Sequence, residues 1–219
     1  MQIFEAFAGI PNSQPTSSLA INTGHGDDLS FHNRLPELFE TNIPMKNVAG
    51  FQKQNSWSPE AIDNMFANRK KVLSVLRLKP SPITPDASRI VHVRGKDKLV
   101  ASATAVSKKV LEFANAGKRI HIMSDDKALS GAIAMSLEMY GLDYSVSESD
   151  DITDWYAILH AKEILGVLST FTLSTLLIDP DKKISLFGKE YNDGPFHLSD
   201  ENYEAAERII HWCPNVQWI

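Results

Sequence analysis

Cysteine is nearly absent from this 219-residue chain: Cys213 stands alone, which excludes an internal disulfide and any thiolate metal cluster and fits a reducing, cytoplasmic setting. A long uninterrupted apolar run is also missing. The greasiest stretch, residues 164–178, contains five Ser or Thr and falls short of the roughly 20 residues that span a bilayer, so no membrane span is expected. Positive charge is not in excess either. Twenty-two Lys and Arg face 27 Asp and Glu, a net charge of −5, which argues against a general nucleic-acid binder that relies on many cationic contacts to phosphate. The seven His residues form no i, i+4 pair and no His-Glu-x-x-His, so no metal site is expected. Near the amino end, Glu5 stands where an export leader needs a basic region, and Pro11 and Asn12 interrupt before an apolar core develops. With 43% hydrophobic and 22% charged residues the composition is globular, and a chain this long hides roughly 70% of the surface that its unfolded form exposes.

From Arg89 onward, short β-type runs alternate with helical periodicity, the pattern of crossover helices covering a parallel sheet. Strands are expected at 90–93, 120–123, 144–147, 164–168 and 184–187. Between them, Val106, Val110 and Phe113 fall on one helical stripe, with Gly117 as its stop. Leu129, Ile133 and Leu137 form a second stripe, opened by Ser124-Asp125-Asp126 and closed by Gly141. A third is Ile152, Trp155 and Leu159, capped by Asp150-Asp151, and a further helix starts at about Phe171.

The amino-terminal part is less regular. Leu19 to Asn22 reads as a strand entering the loop Thr23-Gly24-His25-Gly26-Asp27-Asp28, followed by a helix with Phe31, Leu35 and Leu38 inward. A second helix has Ser58 as cap, Pro59 in its first position and Ile62, Met65, Phe66, Leu73 and Leu76 on its apolar stripe. Pro82 and Pro85 then punctuate residues 81–88. The expected division is therefore a small amino-terminal domain over 1–80, a Pro-rich linker over 81–88 and a Rossmann-like domain over 89–219.

The sharpest chemical signal is His92-Val93-Arg94-Gly95-Lys96-Asp97-Lys98, at the carboxyl end of the first strand of the α/β half, the edge where open parallel sheets bind ligands. Alternation puts His92 and Arg94 on one side of the strand, and the guanidinium of Arg94 offers a planar fork that matches a diphosphate without a metal. The competing reading pairs Arg94 with Asp97 at a strand end. In the glycine loop, Gly24 and Gly26 let backbone approach a ligand closely, although a tight turn needs the same residues. Asp179-Pro180-Asp181 reads as a turn, Arg69-Lys70-Lys71 as a solvated helix face, His121 as a satisfied core residue, and Trp212 and Trp218 as either a packed tail or a partner contact.

His92-Val93-Arg94-x-x-Asp97-Lys98 resembles the His-Val-Arg-Arg-Thr-Asp-Lys signature of core α1,6-fucosyltransferases at five of seven positions. It is also similar to the His-x-Arg-Arg-Gly-Asp motif of α1,2-fucosyltransferases. Ser124-Asp125-Asp126 and Ser169-Thr170-Phe171-Thr172-Leu173-Ser174 follow in the same order as those families' Ser/Thr-Asp-Asp step and Ser-Ser/Thr-Phe-Ser turn. The resemblance extends over about residues 50–190. It implies a GT-B fold of two facing Rossmann-like domains, the first reduced here, and a metal-independent transfer of fucose from GDP-fucose to a glycan hydroxyl, with no other cofactor. It places Arg94 on the donor β-phosphate, His92 and Asp125 or Asp126 toward the nucleoside, and Ser169, Thr170, Phe171 and Ser174 against the diphosphate. Lys96 is a neighbouring cation, Asp97 orients Arg94, and His25, Asp27 and Asp28 are base candidates. The glycine loop also resembles that of heptosyltransferase-like enzymes in Gly26-Asp27.

Two departures from the family bear on the chemistry: Gly95 replaces the signature's second Arg, and Ser102, five residues after the motif Asp97, stands where the α1,6 family has a Glu. The expected function is thus a glycosyltransferase whose partners are a nucleotide sugar and a glycan acceptor, with a further chain able to complete the acceptor cleft. Its alternatives are a heptosyltransferase-like enzyme with another donor and a non-catalytic nucleotide-diphosphate-binding or scaffold module.

Overall fold

The computed structural model describes residues 19–22, 38–41, 45–48, 58–81, 88–95, 101–115, 119–191, 193–194 and 197–219. The amino-terminal strands are short. β1 (Leu19–Asn22) pairs in parallel with β3 (Met45–Val48), and β2 (Phe39–Thr41) pairs antiparallel with β4 (Leu76–Leu78). Between them runs helix α1 (Pro59–Val75), whose entry is capped by the Ser58 hydroxyl accepting from the Ala61 N–H at 3.2 Å. Leu76, expected at the end of that helical stripe, instead opens β4, where it is buried as part of the sheet. The helix expected through Phe31 and Leu35 and the segment 82–87 lie outside the described residues.

The remaining strands form one parallel six-stranded sheet: β5 (Arg89–Val93), β6 (Ile120–Ser124), β7 (Tyr144–Val146), β8 (Glu163–Gly166), β9 (Lys183–Leu186) and β10 (Val216–Trp218). Their spatial order is β10-β9-β8-β5-β6-β7. Counted from the β7 edge this is the 3-2-1-4-5-6 arrangement of a doubly wound Rossmann sheet, with the order reversing between β5 and β8. The α/β, Rossmann-like expectation for this half therefore holds.

Period-two alternation explains why β5 is buried throughout. Ile90 faces one core while Val91 and Val93 face the other. On the second face lie α2 (Ala103–Ala114) and α3 (Lys127–Met139), which contribute Val106, Val110, Leu129, Ile133 and Leu137. On the first lie α4 (Asp151–His160), the short α5 (Thr170–Leu173) with a 3-10 turn over Ser174–Leu177, and α6 (Asp200–Trp212). Leu38, Phe39, Ile62, Met65 and Phe66 join this same first core beside Trp155 and Ile209. Tyr156 ties the segments further, its hydroxyl donating to the Lys79 carbonyl at 3.0 Å.

Several expected boundaries move for local reasons. The helix from about Phe171 amounts to four α residues and a 3-10 turn, because Ser174 and Thr175 return their hydroxyls to the carbonyls of Phe171 and Thr172. The strand expected over 164–168 covers Glu163–Gly166. Gly141, at φ 64°, closes α3 as expected. Arg69 does not belong to a solvated face: its Nε and Nη2 donate to the carbonyls of Leu177 and Ile178, each at 2.5 Å, and so finish the 3-10 turn. Helix α6 and strand β10 emerge from a tail that offered no periodic reading. They place Trp212 against Phe66 with its indole N–H on Asp63 at 2.9 Å, and Trp218 with its indole N–H on Glu207 at 2.6 Å, so both tryptophans pack within the chain. No helix among the described residues is long and apolar enough to cross a membrane.

Candidate functional site

Where the strand order reverses, the helices that follow β5 and β8 lie on opposite faces of the sheet, and open sheets of this kind bind ligands at the carboxyl edge there. Arg94 stands at this edge immediately after β5. Its side chain is 40% exposed, and its Nε and Nη2 both donate to Asp125 Oδ2, at 3.3 and 3.2 Å. The other carboxylate oxygen, Asp125 Oδ1, accepts from the Gly95 N–H at 2.8 Å. One aspartate thus fixes both the direction of the guanidinium and the backbone that follows it. Among the described residues, the bonds to Asp125 use two of the five guanidinium N–H donors. Asp125, just after β6, is the partner of Arg94 among the described residues, while Asp97 lies outside them.

Gly95 is there for space. A Cβ on this residue would lie 2.1 Å from Asp126 Cβ, and Asp126 cannot retreat cheaply because its Oδ1 caps α3, accepting from Ala128 N at 2.9 Å and Leu129 N at 3.3 Å. An arginine at position 95 does not fit this packing. Asp125 and Asp126 are therefore neighbours with different work: Asp125 holds the motif, Asp126 starts the helix.

His92 turns inward. It is 8% exposed, its Nδ1 lies 2.6 Å from Thr172 Oγ1, and its ring sits 5.5 Å from that of Phe171. Burial, reinforced by the positive charge of Arg94, lowers its pKa to about 4, so the ring is neutral near pH 7. Through this contact the two segments singled out in the sequence, 92–98 and 169–174, meet across the β5–β8 boundary. The Ser169 and Ser174 hydroxyls point into the protein: Ser169 is 4% exposed and accepts from the Phe171 N–H at 3.3 Å, while Ser174 accepts from the Trp155 indole at 2.9 Å. Thr170 opens α5, which at four residues has little dipole to offer an anion.

Ser102 caps α2, accepting from the Ala105 N–H at 3.3 Å, and its own backbone N–H donates to Asp193 Oδ1 at 2.7 Å. Hydrogen bonds from the Ser102 backbone and hydroxyl hold the Asp193 carboxyl below the usual range. Nothing local in the sequence marks this pairing, whose members are 91 residues apart. Gly24, His25, Gly26, Asp28, Lys96 and Asp97 lie outside the described residues. Among the described residues no cluster of three or more His, Cys, Asp or Glu could hold a metal ion. Cys213 is buried, and burial pushes its thiol up to about 12, so it is inert. His121 is half-buried with Nδ1 2.9 Å from Ser145 Oγ, and the Asp181 N–H donates to Asp179 Oδ1 at 3.2 Å within the expected turn.

No family model matches the chain, and no curated protein does. Among solved structures, gox2181 is similar at 13% identity over 60% of this chain and 69% of its own, with a TM-score of 0.36. KpsC of Thermosulfurimonas dismutans, a beta Kdo 2,4 transferase, is similar at 18% identity over 73% of this chain, with a TM-score of 0.37. The present chain covers 57% of that KpsC chain. The fold assignment rests on the strand order, not on these likenesses.

Proposed function

We propose that this chain is a glycosyltransferase that binds a nucleotide-diphospho-sugar at the carboxyl edge of β5 and β8 and transfers the sugar to a glycan hydroxyl without a metal. The observation that carries this reading is Arg94: a cation at the switch point of a doubly wound sheet, aimed by Asp125 yet still half-exposed. The acceptor oxygen bonds to the anomeric carbon as the bond from that carbon to the diphosphate oxygen breaks. The acceptor proton passes to a base, and the nucleoside diphosphate leaves with the electron pair. Arg94 stabilises the charge that grows on the departing phosphate, where a fixed donor is worth most. Asp125 is its positioning residue, and His92 and Phe171 form the wall behind it. On the fucosyltransferase resemblance, the donor is GDP-fucose.

Gly95 favours a second reading of the donor. Its Cβ position is filled by Asp126, so the second cation of the fucosyltransferase signature is excluded, and a donor with another base, as in heptosyltransferase-like enzymes, suits one arginine equally well. Separate calorimetric titrations with GDP, UDP and ADP distinguish the two, followed by transfer from the matching sugar nucleotide to a glycan panel. Saturable GDP binding and fucose transfer support the first reading; ADP or UDP binding with transfer supports the second. Binding without transfer leaves a non-catalytic nucleotide-diphosphate module. Failure to bind any of the three removes the diphosphate site altogether.

A further inference from the structure

Five large apolar side chains are exposed among the described residues, and three of them lie on α3 or at its end: Met135 at 67%, Met139 at 83% and Tyr140 at 68%. Val146, on the edge strand β7, is a fourth. The inner face of α3 is spent on Leu129, Ile133 and Leu137, so this is a second, outward apolar face. At 100° per residue, Met135 and Met139 share a stripe with the exposed Ala128 and Ala132. Gly131 lies beside that stripe, in the middle of the helix. A Cβ there would meet nothing within 4 Å, so the fold of one chain gives no steric reason for a residue that costs a helix about 1 kcal/mol relative to Ala. Lys127 and Glu138, exposed at opposite ends of the helix, flank the stripe on the same side as Gly131.

We propose that α3 is a self-association surface on which a second copy of this chain docks, the two helices running antiparallel about a two-fold axis. In that arrangement the partner's Met139 covers Ala128, the partner's Met135 covers Ala132, and Gly131 lets the two backbones approach closely. Lys127 meets the partner's Glu138 at both ends, and the opposed helix dipoles add to the attraction. Parallel pairing about a two-fold axis would instead align the helix dipoles and put Lys127 and the partner's Glu138 on opposite sides of the seam, with no ion pair formed. The footprint limits the strength. Thirteen residues give a helix about 20 Å long and about 10 Å across, a face of about 200 Å² that is well below the roughly 800 Å² per partner of a standard interface, so the dimer is weak and reversible, with a dissociation constant on the order of 100 μM.

Sedimentation equilibrium of the full chain between about 5 μM and about 1 mM tests this, with circular dichroism of each variant to confirm the fold. The expected result is a concentration-dependent monomer–dimer equilibrium that Met135→Lys with Met139→Lys weakens at least about tenfold. Gly131→Leu weakens it similarly by filling the close approach. Glu138→Lys alone weakens it, and adding Lys127→Glu restores it to within about threefold of the parent, because the swap rebuilds both ion pairs. A chain that stays monomeric throughout would overturn the proposal. So would a dimer indifferent to the methionine changes, or a charge-swapped variant no better than Glu138→Lys.

Discussion

Strand β5 begins with one arginine and is followed at once by another, and the two have opposite fates. Arg89, at the amino edge of the sheet, has a side chain only 5% exposed. Its Nε donates to Glu163 at 2.9 Å, its Nη2 to the Phe113 carbonyl at 2.5 Å, and its guanidinium lies 3.9 Å from the centre of the Phe113 ring. Glu163 is shared with Lys183, and that pairing, with Arg89 second, holds its carboxyl below the usual range. Arg94, at the carboxyl edge, keeps 40% of its side chain in solvent and a single carboxylate partner. Residue type is the same and each arginine donates through Nε and Nη2; burial and the choice of acceptors separate an arginine that ties a helix and a neighbouring strand together from one left half-exposed at the sheet edge.

That contrast can be broken in a graded way. Arg89→Met should have the largest effect on stability, about 3 kcal/mol, because it removes both hydrogen bonds of a buried guanidinium, to Glu163 and to the Phe113 carbonyl; for a chain of this size that lowers Tm by roughly 6–12 °C. Scanning calorimetry checks it, and a loss below 1 kcal/mol would mean that the buried network contributes little. Gly95→Ala comes next, at about 2 kcal/mol, since a methyl group collides with the cap of α3. Its urea midpoint should fall, and nucleotide binding should weaken with it as Asp125 and Arg94 shift.

His92 sharpens the comparison through pH. Its pKa is about 4 in the folded chain against an ordinary 6.5, so the unfolded chain takes up the proton first. Its contribution is therefore complete above pH 6.5 and declines as pH falls toward 4, by about 2 kcal/mol at pH 5. His92→Gln removes that decline. Melting curves at pH 7.5 and pH 5 should show a smaller drop for the variant than for the parent; equal drops would mean that the ring is not held neutral.

Much of this was legible in the sequence, and the failures have physical causes. The β-strands after Arg89 and helices α2, α3 and α4 follow from apolar periodicity and from Asp126 and Asp150, which do accept the helix-opening N–H groups. Period and caps are local properties, so one dimension suffices for them. The tail holding α6 and β10 was missed because its amphipathic face mixes Tyr203, Ala205, Ala206 and Ile209 with charged neighbours, and its capping pair, Ser199 with Asn202, lacks the usual Glu or Gln. Within the candidate site, the sequence placed Arg94 at a strand end and linked it in order with 124–126 and 169–174. It did not single out Asp125 as a partner of Arg94, because the two are 31 residues apart and only the parallel pairing of β5 with β6 brings them together. Packing against Asp126 likewise explains Gly95, which reads from sequence alone as a lost cation.

The central claim, that Arg94 serves a ligand while Arg89 serves the fold, is tested most directly by thermal shift of Arg94→Ala with and without a saturating nucleoside diphosphate. Removing a half-exposed side chain should leave the ligand-free Tm within about 2 °C of the parent, since an exposed ion pair is worth only about 0–1 kcal/mol. The parent should gain several degrees with the nucleotide and the variant should gain none. A variant that is stabilised by nucleotide as much as the parent, or that melts as low as Arg89→Met without it, would contradict the account.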